Sequence, residues 1–122
     1  MALALALGAS PAMAGDATRG RALVADARGS LCLLCHKAPI AEARFQGELG
    51  PDLAGVGSRL APDELRARLV EPKRFNPDTI MPSYARVDGL ARVAANQAGR
   101  PILTDAQIDD VVAYLATLRD RP

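Results

Sequence analysis

The sequence is poor in aromatic residues: its 122 residues include two Phe, two Tyr and no Trp. Large rings normally supply much of the apolar volume inside a domain of this size. Hydrophobic residues nevertheless make up 49% of the chain and charged residues 24%, a globular composition that excludes a disordered protein. The shortage of rings therefore predicts that something other than aromatic side chains fills part of the interior.

Neither sign of charge dominates the sequence. Fifteen Lys and Arg residues oppose fourteen Asp and Glu residues, which leaves a formal charge of +1. This balance gives no basis for a nucleic-acid-binding surface or an acidic tail, and we expect no nucleic-acid partner. A chain of this length is predicted to form one domain.

The only long uncharged stretch, residues 1–14, is too short to cross a membrane as a helix, which takes about 20 apolar residues. It alternates Ala and Leu, breaks at Gly8, and ends in an A-x-A sequence, Ala12-Met13-Ala14. This order predicts a secretory signal peptide over residues 1–14, cleaved to leave a mature domain of residues 15–122. The basic segment that normally precedes the apolar run is missing, which is consistent with a longer precursor; the alternative is a disordered Ala-rich N-terminus. Export predicts a periplasmic protein without a membrane span.

Apolar residues at helical spacing and local capping signals predict four helices. The first is capped by Asp16, with Ala22, Leu23 and Ala27 near its inner face. The last follows Thr104 and Gln107, which have capping-box spacing. The predicted helices are Asp16–Asp26, Pro62–Val70 (Leu65, Leu69 and Val70 inward), Val87–Ala98, and a C-terminal helix with Ile108, Val111, Val112, Leu115 and Leu118 inward.

The segments between these helices are predicted to be loops. Gly and Pro recur from residue 37 to residue 59, and Pro72, Pro77 and Pro82 forbid a regular helix before residue 84. No run of residues alternates with the period of two that a half-buried strand requires. The predicted fold class is all-α, a loop-rich helical domain.

The chemistry of the chain concentrates in Cys32-Leu33-Leu34-Cys35-His36. The pattern C-x-x-C-H is the attachment signature of c-type haem. Its spacing lets the thiols of Cys32 and Cys35, on one short helical turn, add to the two vinyl groups of a single porphyrin. His36 then presents its imidazole to the iron. The motif therefore predicts one covalently bound haem c with His36 as an axial ligand.

Three other interpretations of the two cysteines are open. A redox disulfide of the thioredoxin type would require a βαβ context, which the sequence does not predict. A zinc site would require a fourth ligand, and the chain has no further Cys or His. The cysteines could also form a structural pair that matches the haem pattern by chance.

The second axial ligand is predicted from the number of histidines and methionines in the sequence. His36 is the only histidine, and Met81 is the only methionine outside residues 1–14. Nearby prolines stiffen the segment around Met81 and lower the entropy cost of holding a weak thioether ligand in place. The alternatives are that Met81 is an ordinary core residue, or that Lys73 or, less favourably placed beside His36, Lys37 supplies a nitrogen.

In its order of motifs the chain resembles the class I cytochromes c. An N-terminal helix and the C-x-x-C-H motif are followed by Gly50-Pro51-Asp52-Leu53, a Met-Pro loop, and a C-terminal helix with Val-Val-Ala-Tyr-Leu. This resemblance implies that the two terminal helices cross and that the haem lies between the two ligand loops. It also implies that the Pro51 carbonyl accepts a hydrogen bond from the His36 ring, although a Gly-Pro pair is also consistent with a plain turn.

Longer stretches are similar to one branch of that fold, the SoxX family, the monohaem subunits of the SoxAX complexes of sulfur oxidation. The similar segments are Phe45–Arg59, Phe75–Pro82, Gly99–Thr104 and Asp109–Leu115. Leu31 and Leu34 depart from the smaller or more polar residues expected beside the cysteines, and neither is a ligand.

The resemblance implies the electron-accepting subunit of an L-cysteine S-thiosulfotransferase, with no catalytic residue of its own. A SoxA-like haem-bearing partner would join thiosulfate to a cysteine of a sulfur-carrier protein. This chain would pass the electrons to a downstream cytochrome c, through a haem edge near Met81–Arg86. The alternatives are a free periplasmic monohaem electron shuttle and, third, a non-haem redox or metal-binding module. The nearly neutral charge weakly favours a lasting interface over electrostatically steered encounters.

Overall fold

The computed structural model describes residues 14–120, so the predicted signal peptide lies outside the described residues except for Ala14. In this part of the chain there are helices and no strands, which confirms the all-α prediction. The helices are α1 (Ala17–Ala25), α2 (Cys32–Cys35), α3 (Val56–Arg59), α4 (Pro62–Val70) and α5 (Asp105–Thr117), with 3₁₀ turns at Pro72–Arg74 and Ala95–Gln97.

Helix α1 has the predicted bounds within one residue at each end. Its N-cap is Asp16, whose side chain accepts a hydrogen bond from the amide of Arg19 at 2.8 Å. The predicted inner face is wrong in part: Ala22 and Ala27 are exposed, Leu23 is half-buried, and the buried residues are Gly20 and Val24.

The contact between α1 and α5 decides which face of α1 is buried. At Gly20 a Cβ atom would lie only 1.8 Å from the carbonyl oxygen of Asp110 and 2.9 Å from Cβ of Tyr114. The two helices therefore approach so closely that only glycine fits at their crossing. This close approach turns Val24, one turn further on, into the core.

Helix α5 forms as predicted. Thr104 accepts a hydrogen bond from the amide of Gln107 at 3.2 Å, and the Gln107 side chain accepts one from the amide of Thr104 at 2.9 Å. This reciprocal pair completes the capping box. Four of the five predicted inward residues are buried, and the fifth, Leu118, is half-buried just after the helix ends.

A buried carboxylate joins α5 to the start of α1. Asp110 accepts hydrogen bonds from the amide of Asp16 at 2.7 Å and from Nε of Arg19 at 3.0 Å. The Arg19 guanidinium, with the Asp16 amide, holds the pKa of Asp110 below its usual value. The two ends of the described chain are therefore tied by a charge-assisted pair.

Helix α4 is also confirmed, with Pro62 at its first turn, Leu65 and Leu69 buried, and Val70 half-buried. Nε of Arg66 lies 3.1 Å from Oδ1 of Asp109 and joins α4 to α5. This contact and the two buried leucines pack α4 against α5.

Two secondary-structure predictions are wrong. The helix predicted over Val87–Ala98 is absent, and that segment is irregular apart from the 3₁₀ turn Ala95–Gln97. Its apolar residues Val87, Leu90 and Val93 are exposed. Since short helices depend on burying an apolar face, this segment lacks what would stabilise one. The predicted loop of residues 37–59, in turn, contains α3, which starts after Gly55 in the left-handed conformation, with φ 75°.

The few aromatic residues do little to fill the interior. Phe45 is 93% exposed and Phe75 is exposed, whereas Tyr84 and Tyr114 are buried. The core is aliphatic around two rings, and a large cavity remains beside it. None of the helices in residues 14–120 has the length and apolar character needed to cross a membrane.

Candidate haem-binding site

Helix α2 brings the two cysteines together on a single turn, as predicted. Leu31 precedes it with a left-handed φ of 62°, and the amide of His36 closes it with a hydrogen bond to the carbonyl of Cys32 at 3.0 Å. Both thiols are free, Cys32 buried and Cys35 half-buried. Burial raises the pKa of Cys32, which keeps that thiol protonated at neutral pH.

A loop packs directly onto α2. The amide of Gly47 donates a hydrogen bond to the carbonyl of Leu33 at 2.8 Å, and the amide of Leu53 donates one to the carbonyl of Lys37 at 2.8 Å. At Gly47 a Cβ atom would lie 2.0 Å from the carbonyl oxygen of Leu34, so the loop could not come this close with a larger residue.

Gly50 and Pro51 of this loop fix the imidazole of His36. The amide of Gly50 donates to the carbonyl of Cys35 at 2.7 Å, and a Cβ atom at Gly50 would lie 2.4 Å from Cε1 of His36. Nδ1 of His36 lies 2.6 Å from the carbonyl oxygen of Pro51. Because a carbonyl only accepts, Nδ1 carries the proton and donates, which leaves the Nε2 lone pair free to bind a metal. This is the contact that the family resemblance implies.

The segment that carries Met81 is joined to the rest of the fold mainly by hydrogen bonds of the residues that follow Met81. Ser83 donates from Oγ to the carbonyl of Val70 at 2.5 Å. The amide of Tyr84 donates to the carbonyl of Leu69 at 2.9 Å, and the carbonyl of Tyr84 accepts from the amide of Leu103 at 3.1 Å. Met81 itself donates only to the nearby Thr79 hydroxyl, at 3.1 Å.

The thiols, the imidazole and the thioether line one cavity of about 570 Å³. Cavities of this size hold cofactor-sized ligands. Most of the lining is aliphatic and includes Val24, Leu53, Leu65, Leu69, Val111 and Leu115. The structure therefore brings together Cys32, Cys35, His36 and Met81, with Pro51 also in the cavity wall.

The two lysines offered as alternative ligands lie elsewhere. Nζ of Lys37 forms an ion pair with Glu48 at 2.7 Å, and this hydrogen bond raises the pKa of Lys37. Lys73 is exposed on the 3₁₀ turn and does not line the cavity. This placement favours Met81 as the second axial ligand, which stays a prediction.

Sequence reasoning missed two residues of this site, Tyr84 and Arg68. The buried hydroxyl of Tyr84 lies 3.9 Å from Sγ of Cys32, and burial raises the pKa of this phenol. Arg68 of α4 also lines the cavity. A tyrosine three residues after Met81, in a chain with so few rings, was the available signal for the first. For the second, the available signal was an arginine directly beside Leu69, on the apolar side of α4.

The cytochrome c family matches residues 17–119. This chain belongs to the cytochrome c family. Cytochromes c carry covalently bound haem c, and the residues of the cavity fit that group. Two free thiols share one turn, an imidazole is fixed beside them by Gly50 and Pro51, and the walls are apolar.

Solved structures of two cytochromes resemble this one. The crystal structure of SoxXA from P. pantotrophus has a chain 30% identical, with a TM-score of 0.79 over 93% of this chain and 85% of that chain. This likeness confirms the resemblance to the SoxX family. The c-type cytochrome SorU from Sinorhizobium meliloti is 24% identical, with a TM-score of 0.51 over 84% of this chain and 88% of that chain, and shows the fold alone. No curated protein matches the sequence significantly.

The competing interpretations of the cysteine pair gain no support. Among residues 14–120, no three His, Cys, Asp or Glu side chains lie close enough to hold a metal ion. Cys32 and Cys35 do not form a disulfide.

Proposed function

We propose that this cytochrome is the electron-accepting monohaem subunit of a SoxAX-type L-cysteine S-thiosulfotransferase in thiosulfate oxidation. The observation that carries the proposal is the likeness to SoxXA, at 30% identity over 93% of the chain. The four segments that resemble the SoxX family in sequence include the loop that carries Pro51 and the loop that carries Met81. Its partner is then a SoxA-like haem-bearing subunit, and electrons leave to a downstream cytochrome c.

Each site residue has a separate task in this proposal. Cys32 and Cys35 would hold the haem through thioether bonds, and His36 and Met81 would supply the nitrogen and sulfur ligands of its iron. Pro51 keeps the His36 ring in one orientation through the 2.6 Å contact with Nδ1. A haem bound in this way supplies reversible one-electron chemistry, and the thioether ligand favours its reduced state. The aliphatic walls exclude water from this part of the cavity.

The chain offers no second set of residues for the sulfur chemistry. Outside the Cys32–His36 motif the sequence has no cysteine and no histidine. Joining thiosulfate to a carrier thiol needs a group that can hold the sulfur atom. If His36 and Met81 both bind the iron, that group would have to come from the partner. The chain is therefore an enzyme subunit that is not catalytic alone.

Exposed apolar side chains surround the mouth of the cavity. We call Leu34, Leu49 and Ile80 the apolar rim; all three line the cavity, and they are 58%, 75% and 77% exposed. Exposed apolar side chains gathered around one cavity are typical of a binding interface. The rim supports electron transfer across a docked partner surface, next to the segment from Met81 to Arg86.

The second candidate function is a free periplasmic electron shuttle of the same fold. The SorU likeness supports only the fold and is compatible with either function. The two candidates differ in one property: a subunit co-purifies with its partner at stoichiometric ratio, whereas a shuttle does not.

Both functions place the protein in the periplasm. Processing after Ala14 would release a mature chain of residues 15–122, and covalent attachment of haem takes place outside the cytoplasm. N-terminal sequencing of the exported protein tests this boundary directly, with Gly15 as the expected first residue.

The deciding experiment is a steady-state assay with thiosulfate, the sulfur carrier and an external oxidising cytochrome. The purified chain alone is expected to be redox-active but to give no turnover, and turnover is expected once the haem-bearing partner is added. Leu34→Asp and Ile80→Asp are expected to weaken this partner-dependent rate. Leu90→Asp, which alters a half-exposed leucine outside the rim, is the matched control. Turnover by the chain alone would contradict the proposal.

A further inference from the structure

One arginine in the cavity wall is stacked on an aromatic ring. Arg68, on α4, has its guanidinium carbon 4.2 Å from the ring centroid of Phe75. A guanidinium over a ring face is attracted to it and keeps its plane parallel to the ring. Phe75 therefore fixes the direction in which the Arg68 donors point, while the same side chain lines the cavity.

Arg68 has no polar partner among residues 14–120. Its Nε is buried without a hydrogen bond, and no hydrogen bond or ion pair joins its terminal nitrogens to another of these residues. Arg66, two residues earlier on the same helix, is paired with Asp109 at 3.1 Å. Leaving the buried Nε–H of Arg68 without an acceptor is costly unless a ligand satisfies it.

The other arginine in the cavity wall, Arg59, already has hydrogen-bond partners for its terminal nitrogens. Its Nη1 donates to the carbonyl of Ala54 and its Nη2 to the carbonyl of Asp52, each at 2.9 Å. Of the two arginines that line the described cavity, only Arg68 has a free pair of terminal donors.

A haem carries two propionate carboxylates on the edge opposite its vinyl groups. In a mostly aliphatic cavity a carboxylate is stable only with a cation or several donors beside it. The planar fork of a guanidinium matches a carboxylate in geometry as well as in charge. We propose that Arg68, held by Phe75, binds a haem propionate through its guanidinium nitrogens, Nε included. The proposal rests on the haem site described above and adds the residue that fixes the far edge of the cofactor.

The charge of Arg68 has a consequence for electron acceptance. A positive charge within about 10 Å of the iron favours the reduced state, by about tenfold in the ferrous-to-ferric ratio at an effective dielectric constant of about 20. By neutralising a propionate, Arg68 removes a negative charge that would oppose reduction. It therefore keeps the haem a good electron acceptor.

The test is the midpoint potential of the holoprotein, measured by spectroelectrochemistry at neutral pH. The ratio is compared at the potential where the wild type is half reduced. There the ferrous-to-ferric ratio of Arg68→Gln is expected to be about threefold to tenfold lower than that of the wild type. A tenfold change corresponds to a shift of about 59 mV in midpoint potential. Arg68→Lys keeps the charge and is expected to restore most of the ratio. Arg66→Gln, whose charge is already paired, is the matched control and should leave the ratio unchanged.

If Arg68→Gln does not accumulate as a folded holoprotein, a crystal structure of the wild-type holoprotein decides the question. A propionate oxygen within hydrogen-bond distance of the Arg68 terminal nitrogens supports the proposal, and two propionates directed elsewhere contradict it. An Arg68→Gln ratio equal to that of Arg66→Gln also contradicts it. Absence of covalent haem in the wild type would instead contradict the haem site itself, and neither result bears on the SoxA-like partner.

Discussion

The two walls that carry the predicted iron ligands are held in different ways. On the proximal side, residues 32–53, the amides of Gly47, Gly50 and Leu53 each donate to a backbone carbonyl in or beside α2. On the distal side, residues 79–84, the contacts with the rest of the fold begin after Met81, at Ser83 and Tyr84.

This difference separates a preorganised candidate ligand, His36, from a replaceable one, Met81. His36 is oriented by Pro51 and closely approached by Gly50, so its ring has one position. Within residues 14–120, the one hydrogen bond of Met81 is to Thr79, two residues earlier, and a thioether is a weak ligand. We therefore expect the distal bond to fail first under any perturbation, with the haem still attached to the proximal wall.

The largest effect is expected from breaking the proximal wall at Gly50. In Gly50→Ala the new Cβ would lie 2.4 Å from Cε1 of His36, so the imidazole or the loop must move. We expect most of the covalently bound haem to be lost, measured as haem-stained protein on a denaturing gel.

Gly89→Ala is the control for Gly50→Ala. Gly89 has a φ of 65° and open space around it, so alanine there adds backbone strain without touching the site. It is expected to leave haem content unchanged. Equal losses in the two variants would show that general destabilisation, rather than the position of His36, limits attachment.

Removing the distal ligand should have a smaller effect. Met81→Ala is expected to keep its covalent haem, because Cys32 and Cys35 hold it, but to lose the weak near-infrared band of ferric iron bound to sulfur. Its midpoint potential should fall, since the thioether stabilises the reduced state. Lys73→Ala should keep the band; a band retained in Met81→Ala, or absent from the wild type, would assign the ligand to another group.

The third prediction concerns the contact of Asp110 with Arg19 and Asp16, which joins α5 to α1. Weakening this contact should destabilise the whole fold, and the proximal and distal walls with it. The pKa of Asp110 is lowered, first by the Arg19 hydrogen bond and then by the Asp16 amide. Because the folded value lies below the unfolded one, about 3.9, this stabilisation is present above about pH 4 and is lost as pH falls further. Asp110→Asn is expected to lower the free energy of unfolding by about 1–3 kcal/mol at pH 7, and to approach the wild type in acid.

The measurement for Asp110→Asn is chemical denaturation followed at both the haem absorbance and the near-infrared band. The two signals should be lost together, unlike in the distal variants. Asp105→Asn, whose exposed carboxylate lies 3.5 Å from Arg66, is the control and should change stability by less than about 1 kcal/mol. A pH-independent difference between Asp110→Asn and the wild type would contradict the assignment.

The smallest expected effect comes from loosening the distal wall at Ser83. Ser83→Ala removes the hydrogen bond to the carbonyl of Val70, worth about 1 kcal/mol. The near-infrared band should therefore disappear at a lower temperature than in the wild type, before the haem absorbance changes. Ser58→Ala, which removes a hydrogen bond from the Asp120 amide, should not separate the two signals.

The parts of the molecule that local sequence determines were predictable. Helices α4 and α5 carry their own start signals, Pro62 and the Thr104–Gln107 capping box. The candidate ligands were predictable because the two cysteines and His36 are contiguous and Met81 has no competitor of its type outside residues 1–14.

Features that depend on distant contacts were not predictable. The buried face of α1 is set by Gly20 against Asp110, and no pattern within α1 contains that information. The helix predicted around Leu90 is absent because its apolar residues do not pack against the rest of the protein. Tyr84 meets Cys32 across 52 residues of sequence, so its role becomes visible only in the folded chain.

The pairing of α1 with α5 has a consequence for the biogenesis of the protein. The amide of Asp16 is bonded to a carboxylate 94 residues later, so α1 lacks its main packing partner, α5, until almost the whole chain has been made. Closing so long a loop is entropically costly, and a nine-residue helix is unstable alone. Until α1 has paired with α5, the Cys32–His36 motif therefore stays in an open chain. The attachment machinery can reach both thiols in that interval, before the completed fold buries Cys32.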